Sequence, residues 1–331
     1  MPAFGNYLKR AAIWLAIAAV SGAIIFAFGP REPFTGVVDF DANIIGDDVE
    51  VYIHEGEARF SDVRDGLHKE IIWANGEAGE RRKFAVVYVH GFSASKEEVR
   101  PVPDLVAEGL SANLYFARLK GHGRSADAMA EASAEDWLND MAESLAVGNR
   151  IADETVVIAT STGATLATYL AATRPELFEN VRALALISPN FKLIAPGSSF
   201  LTLPYARWFM PILVGEHRIH TRPTPAQEHA WTTPYATVSL MPMARLTQAL
   251  EDISPGDIKV PVLLIYSEED TVIEPATVKD YAEQWGATAR LFRVEGAGDD
   301  HVIAGAMRSP QTTDEIAQEI VTFVNALESG S

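Results

Sequence analysis

The sequence predicts an α/β protein built on a mostly parallel, doubly wound sheet with a cap inserted into it. Three observations carry this expectation. Short β-rich apolar runs alternate with helical stretches from Glu70 to Ile187 and again from Val262 to Leu327, the pattern of strand–helix–strand units. The alternation breaks between Asn190 and Pro255, a segment rich in Pro, Trp, Phe and Met. Connections in such folds are short, so a break this long is expected to form a substructure over the carboxyl edge of the sheet. Finally, the first thirty residues are set apart by an uncharged apolar run, Ala11 to Phe28. The expected division is an anchor or signal segment at 1–30, a core at 31–189 and 258–331, and a cap at 190–257.

Composition narrows the function classes. The chain has 331 residues, 48% hydrophobic and 22% charged, which is globular rather than disordered. Its 27 Lys+Arg against 45 Asp+Glu give a net charge of −18. That balance disfavours nucleic acid, whose phosphates need a basic face, and docking on anionic lipid by charge alone. The absence of cysteine excludes disulfides, thiolate metal sites and a cysteine nucleophile. No His/Asp/Glu set has ligand spacing on one element, so neither a metal nor a cofactor is expected.

Taken in order, the first element is the run Ala11–Phe28. As a helix it would span roughly 27 Å, just short of a hydrocarbon core of about 30 Å. It is apolar all round, which fits a spanning helix better than an interfacial one. Three readings stand: an uncleaved signal anchor, a cleaved signal peptide, and a helix buried in protein. Pro30, directly after Ala27-Phe28-Gly29, disfavours cleavage. Lys9 and Arg10 precede the run, whereas Glu32, Asp39 and Asp41 follow it, so the positive-inside rule leaves the start in the cytoplasm and sends the body across. In a bacterium the folded body would be periplasmic.

A short helix is expected within Gly46–Phe60, then a strand at Glu70–Ala74 and a polar turn at Gly76–Arg82. The strand Phe84–Val89 and the helix Lys96–Leu110 follow, then the strand Asn113–Ala117. The helix Ser133–Val147 opens on Ser133 with Asp136 three residues on, a capping-box-like start. The strand Thr155–Thr160 leads into the helix Thr162–Ala172, and the strand Ala183–Ile187 closes the first half. After the break come the strand Val262–Tyr266, the helix Ala276–Trp285, the strand Arg290–Val294 and the helix Thr313–Leu327.

The chemistry centres on Val157-Ile-Ala-Thr-Ser-Thr-Gly-Ala-Thr-Leu166. A buried strand runs into Ser161 and a helix starts at once, with the small residues Ala159 and Gly163 two positions to either side. This is a nucleophile elbow, with Ala159 where glycine is usual. The sharp turn projects the hydroxyl above the sheet at a helix N-terminus, where N–H groups favour a developing anion. Downstream, Val262–Tyr266 ends in the acids Glu268, Glu269 and Asp270, and Leu291–Val294 leads into a Gly-rich loop carrying His301. Serine, acid and histidine, each after a strand, follow the order of a hydrolytic triad on an α/β sheet.

From about Arg82 onward the chain resembles the α/β-hydrolases, in particular the group of monoacylglycerol lipases, carboxylesterases and proline iminopeptidases. The residues carrying the resemblance are His90-Gly91-Phe92, Gly121-His122-Gly123-Arg124-Ser125, Ala159-Thr160-Ser161-Thr162-Gly163, Asp270-Thr271-Val272 and His301. It implies an α/β-hydrolase fold and a serine-hydrolase mechanism in which Ser161 attacks, His301 moves the proton and Asp270 orients the imidazole. Asp270 is preferred to Glu268 and Glu269 because a small residue and an aliphatic pair follow it. Asp299 and Asp300 are expected to shape the loop. The oxyanion hole would use the backbone N–H groups of Phe92 and Thr162, with the Phe92 ring lining an acyl pocket. His122, Trp208 and Met210 are further candidates for substrate contact, and His90 and His122 would also shape their two loops.

The leading expectation is a membrane-tethered serine esterase acting on small or medium acyl esters or monoacylglycerol-like substrates. An aminopeptidase of the proline-iminopeptidase type would need cap acids, among Glu216, Glu228, Glu251 and Asp252, to hold a free amine. A catalytically silent, membrane-anchored binding module is the third reading, supported only by Ala159. His217, Arg218, His220 and Arg222 form a basic cluster, read either as a solvated turn or as a contact for an anionic substrate. Ser161 in the elbow disfavours aspartate-nucleophile chemistry.

Overall fold

The computed structural model describes residues 2–219 and 224–329, with side chains from Arg10 to Glu328. His220 and Arg222 of the basic cluster lie outside the described residues.

A seven-stranded sheet runs through the described residues in the order β1-β3-β2-β4-β5-β8-β9. Its strands are β1 (Glu70–Ile72), β2 (Arg82–Val89), β3 (Asn113–Phe116), β4 (Ala152–Thr160), β5 (Val181–Ile187), β8 (Val262–Tyr266) and β9 (Ala289–Arg293). Every pairing is parallel except β1 on β3. Side chains alternate across the strands as the pleat demands. Ala85, Val87 and Val89 of β2 face one core with Trp137, Leu166 and Val278, whereas Phe84, Val86 and Tyr88 face a second with Val106 and Ile320. The β-rich runs are continuous in apolar residues because both faces of the sheet are covered.

The helices are α1 (Pro2–Ala27), α2 (Val49–Glu57), α3 (Val102–Leu110), α4 (Ala126–Ala130), α5 (Ala134–Ile151), α6 (Thr162–Thr173), α7 (Ala206–Val214), α8 (Pro225–Ala230), α9 (Leu240–Ala249), α10 (Pro275–Gln284) and α11 (Thr313–Ser329). The α5 cap is the expected reciprocal box: the Asp136 N–H donates to Ser133 Oγ at 3.1 Å and the Ser133 N–H to Asp136 Oδ2 at 2.8 Å. One expected helix is shorter. Lys96–Pro101 forms turns and α3 begins only at Val102, with Pro103 in its first turn. Proline lacks an N–H and pushes the preceding residue out of the helical region, so Pro101 halts any helix entering from Lys96.

Between β5 and β8 the chain leaves the sheet. It forms α7, a two-stranded pair of β6 (His217–Arg218) and β7 (Tyr235–Ala236), α8 and α9. Met241 and Ala244 of α9 pack with Leu201, Ala206 and Met210, while Met243 and Leu246 of the same helix enter the main core. One helix thus fastens the excursion to the sheet.

The apolar part of α1, Arg10–Ala27, is solvent-exposed along its length. Its end meets the excursion at Tyr205. The Tyr205 N–H donates to Pro30 O at 2.7 Å, its hydroxyl to Ile25 O at 3.3 Å, and its ring stacks on Phe26. Arg207 then grips the buried Glu32 carboxylate with two N–H groups, at 2.5 and 2.8 Å.

Candidate active site

Ser161 stands between β4 and α6 with φ 51° and ψ −112°, a conformation a non-glycine residue adopts only under constraint. The constraint comes from both sides. Its N–H donates to Ile187 O at 2.9 Å, and its carbonyl accepts from Thr165 at 3.1 Å and Asn190 at 3.2 Å. A Cβ on Gly163 would press into Val89 O and lie 2.8 Å from His90 O, so only glycine lets α6 approach β2 this closely. Ala159, where glycine is usual, is wholly buried, and the elbow forms with its methyl in place.

His301 Nε2 lies 2.9 Å from Ser161 Oγ, and its Nδ1 lies 2.8 Å from Asp270 Oδ2. The other Asp270 oxygen accepts from Val272 N–H at 2.8 Å and Ile273 N–H at 3.1 Å. These backbone donors fix the carboxylate in place. The rival acid Glu268 pairs with Lys279, and Asp300, expected to shape the loop, binds Arg308 through both oxygens. An imidazole held this way can take the Ser161 proton as the oxygen attacks a carbonyl carbon.

Thr162 is the first residue of α6, so its N–H has no intrahelical acceptor. Phe92 lies in the turn after β2. Its ring is edge-on to Tyr235, His122 and Trp137, with centroids 5.1, 6.2 and 6.3 Å away. Below that turn, two wholly buried histidines act as braces. His122 Nε2 accepts the Ser93 N–H at 3.0 Å while Nδ1 faces Lys120 O at 3.2 Å. His90 Nε2 accepts the Leu119 N–H at 3.2 Å while Nδ1 faces Gly91 O at 2.9 Å. Both patterns require neutral rings protonated on Nδ1. Burial pushes His90 down to about 4 and holds His122 well below the usual histidine range.

A cavity of about 630 Å³ opens over Ser161. Phe92 and Met210 line it. His122 is buried behind Phe92 and is not part of the wall, and Trp208, 60% exposed, points away on the outer side of α7. Leu193, Leu201, Val214, Leu240 and Met243 make the wall largely apolar, and Arg218 also lines it. None of Glu216, Glu228, Glu251 and Asp252 contributes to the wall. A second groove of about 530 Å³ lies away from Ser161, beside α2 and β1, where Glu57 and Lys69 are engaged in ion pairs with Arg118 and Glu143.

Among the wall residues that the sequence did not single out are Asn190 and Glu98. Asn190 is buried, with its Oδ1 unpartnered. Glu98 is also buried, and its Oε2 accepts from the Gly91 N–H at 2.8 Å and the Tyr88 hydroxyl at 2.9 Å. In the sequence, Glu98 belongs to a Lys-Glu-Glu run read as the first turn of a helix, where an acid is ordinary. With Lys96–Pro101 in turns instead, its side chain points inward.

The comparisons with known proteins bear on the family and the fold. The model of the family described as serine aminopeptidase, S33 matches residues 80–298, a stretch holding Ser161 and Asp270 and ending just before His301. No curated protein sequence matches the chain. Among solved structures, a metagenome-derived lipolytic enzyme of the LipS and LipT pair superposes with a TM-score of 0.63 at 20% identity, over 80% of this chain and 99% of its own. The monoacylglycerol lipase of Paleococcus ferrophilus gives 0.55 at 14% identity, over 79% and 99%. A soluble variant of monoglyceride lipase from Saccharomyces cerevisiae, in complex with a substrate analog, gives 0.55 at 13%, over 80% and 93%. At such identities the likeness is one of fold. The family model covers well over half of the chain, and the sheet and elbow are those of its fold: this chain belongs to the serine aminopeptidase S33 family of α/β-hydrolases.

Proposed function

We propose that the chain is a membrane-tethered serine esterase that hydrolyses small or medium acyl esters, monoacylglycerol-like esters among them, through an acyl-enzyme. The observation that carries this reading is the unbroken Ser161–His301–Asp270 hydrogen-bond chain at the floor of an apolar cavity. Ser161 Oγ attacks the ester carbonyl as His301 Nε2 takes its proton, and Asp270 stabilises the resulting imidazolium. The tetrahedral oxyanion is received by the N–H groups of Phe92 and Thr162. Collapse expels the alkoxide, which takes the proton from His301 and leaves as an alcohol. Water, deprotonated by the same imidazole, then attacks the acyl-Ser161 ester and releases the carboxylic acid.

The apolar wall favours an acyl chain, and the placement of the four cap acids away from it weighs against an amine anchor of the aminopeptidase kind. We assign the cap to residues 190–257. The tether is supported by α1 and by α7 together. Met210 and Val214 of α7 turn to the cavity, yet Trp208 and Ile212, one turn apart on the opposite face, are 60% and 86% exposed. A helix apolar on both faces suits a body held against lipid, and Trp208 continues the Phe26–Tyr205 ring contact that ends α1. The acidic body would then stand outside the cytoplasm, with Lys9 and Arg10 inside.

The test is hydrolysis of a p-nitrophenyl ester panel by the full-length protein in detergent, with proline p-nitroanilide as the competing substrate. Ester turnover that disappears in Ser161→Ala is the expected result. Equal rates for the two proteins would remove the serine mechanism, and preference for the anilide would remove the ester reading. For the tether, α1 should hold the protein in membranes through alkaline carbonate extraction, and release into the supernatant would overturn it.

A further inference from the structure

The hydrolytic steps above do not use the buried carboxyl of Glu98, which lines the cavity. It stands at the junction of two parts that must be held in register. On one side, the Gly91 N–H that it binds belongs to the peptide just before Phe92, whose N–H is assigned to the oxyanion. On the other, the Tyr88 hydroxyl that it accepts lies 3.3 Å from Thr160 Oγ1, on the residue before the nucleophile. The second carboxyl oxygen, Oε1, faces the bare Cα of Gly91. A Cβ built there would lie 2.9 Å from Oε1 and 3.2 Å from Ser161 Cβ, so the carboxyl stands at the flank of the nucleophile. A side chain at position 91 would separate the two.

We propose that Glu98 is a positioning residue of this site: it ties the oxyanion turn to the nucleophile strand and, as a carboxylate, supports the positive charge that His301 acquires during attack. This rests on the hydrolytic reading of Ser161 and His301. The groups facing Glu98 are few. Tyr88 approaches from β2 as a neutral hydroxyl, held protonated by burial and by Glu98 itself. His301 acts on it electrostatically from the loop after β9. Neighbouring Glu97 is engaged by Arg100, which also binds Asp104. Lys96 is committed to Glu70, and Arg308, which also lines the cavity, to Asp300. No cation among these is free to neutralise Glu98 permanently. Burial raises its carboxyl to about 7, against the lowering effect of the Gly91 and Tyr88 hydrogen bonds and of His301. The residue therefore changes charge in the range where a histidine does its work.

The sign of the effect follows. A carboxylate lining the same cavity as His301 favours the imidazolium, so removing that charge makes His301 release its proton at lower pH. Glu98→Gln keeps an acceptor for the Gly91 N–H and the Tyr88 hydroxyl but loses the charge. Tyr88→Phe removes one donor from the carboxylate, keeps Glu98 protonated to higher pH and acts in the same direction more weakly. Glu98→Ala removes both the charge and the tie.

The experiment has two arms on the full-length protein. In the first, the His301 ring is titrated by NMR in wild type, Glu98→Gln and Tyr88→Phe, which needs no substrate. The midpoint should fall by about half a unit or more in Glu98→Gln and by less in Tyr88→Phe. In the second, the acid limb of kcat/KM for a p-nitrophenyl ester should move to lower pH by a similar amount. There Glu98→Ala should lose about tenfold in kcat with KM little changed. Folded Gln and Phe variants with a wild-type His301 midpoint overturn the proposal, whatever the activity. Wild type inactive on every ester, with the His301 midpoint still lowered in Glu98→Gln, would overturn the ester reading while leaving the electrostatic role of Glu98 intact.

Discussion

The Ser93 N–H donates to His122 Nε2 at 3.0 Å, in the turn that carries Phe92. That bond exists only while the imidazole is neutral, and the ring is wholly buried with His90 4.9 Å away, centroid to centroid. Both histidines have folded-state proton affinities below the unfolded value of about 6.5. Above that pH, both states are neutral and nothing is lost. As pH falls from there toward 4, the unfolded chain takes up protons that the folded chain refuses, and stability declines. Between pH 7 and 5 the Tm of wild type should fall relative to that of His122→Asn. Parallel Tm curves for the two proteins would contradict this.

Glu98 contributes in the opposite sense. Its folded-state affinity lies above the unfolded one, so its penalty is nil below about pH 4.5 and complete above about 7. The Tm of Glu98→Gln relative to wild type should therefore rise as pH is raised from 4.5 to 8. A constant difference across that window would show that the carboxyl ionises as freely when folded as when unfolded.

Asp270 holds His301 through Nδ1 while two backbone N–H groups hold Asp270. Asn at this position can offer its NH2 group to the ring and so trap the wrong tautomer. Asp270→Asn should lower kcat by about 10⁴ with KM little altered. The measurement is steady-state ester hydrolysis beside Ser161→Ala. A loss of less than tenfold would return the acid's role to Glu268 or Glu269.

Glu57 and Arg118 form a buried bidentate pair at 2.8 and 2.6 Å, and Arg118 also donates to His122 O at 3.2 Å. Arg118→Met leaves a carboxylate without its partner and should cost about 3 kcal/mol in urea unfolding. Adding Glu57→Gln should recover part of that loss. A double variant no more stable than Arg118→Met alone would place the energy in packing rather than in charge.

Two glycines should respond to the same substitution with opposite signs. Gly163→Ala drives a methyl into the β2 backbone and should disturb both Tm and ester turnover. Gly56 in α2 has nothing within 4 Å of an added Cβ, so Gly56→Ala should stabilise by about half a kcal/mol. Thermal unfolding of both variants decides the point, and stabilisation by Gly163→Ala would contradict the close approach of α6 to β2.

Much of this protein is local in origin, and the sequence by itself determined that part. β2, β4, β5 and β8 are legible because a strand buried on both faces must be apolar at nearly every position. α5 is legible from Ser133 and Asp136, and the elbow from the small residues around Ser161, because caps and tight turns are satisfied by near neighbours. The placement of Ser161, Asp270 and His301 after β4, β8 and β9 is legible in the sequence because each follows a β-rich run. What only the tertiary structure decided depends on which residues distant in sequence meet. Trp208 and Met210 are near neighbours in one apolar helix, yet one points outward and the other lines the cavity, because a helix apolar on both faces carries no local mark of which face is covered. His122 reads as a residue of the site but lies behind Phe92, braced by backbone groups whose placement no pattern encodes. Glu98 reads as a solvated first-turn acid. Pro101 ends that helix before it starts, and the chain turns the carboxyl in toward Gly91, Tyr88 and the flank of Ser161, where burial and not sequence sets its charge.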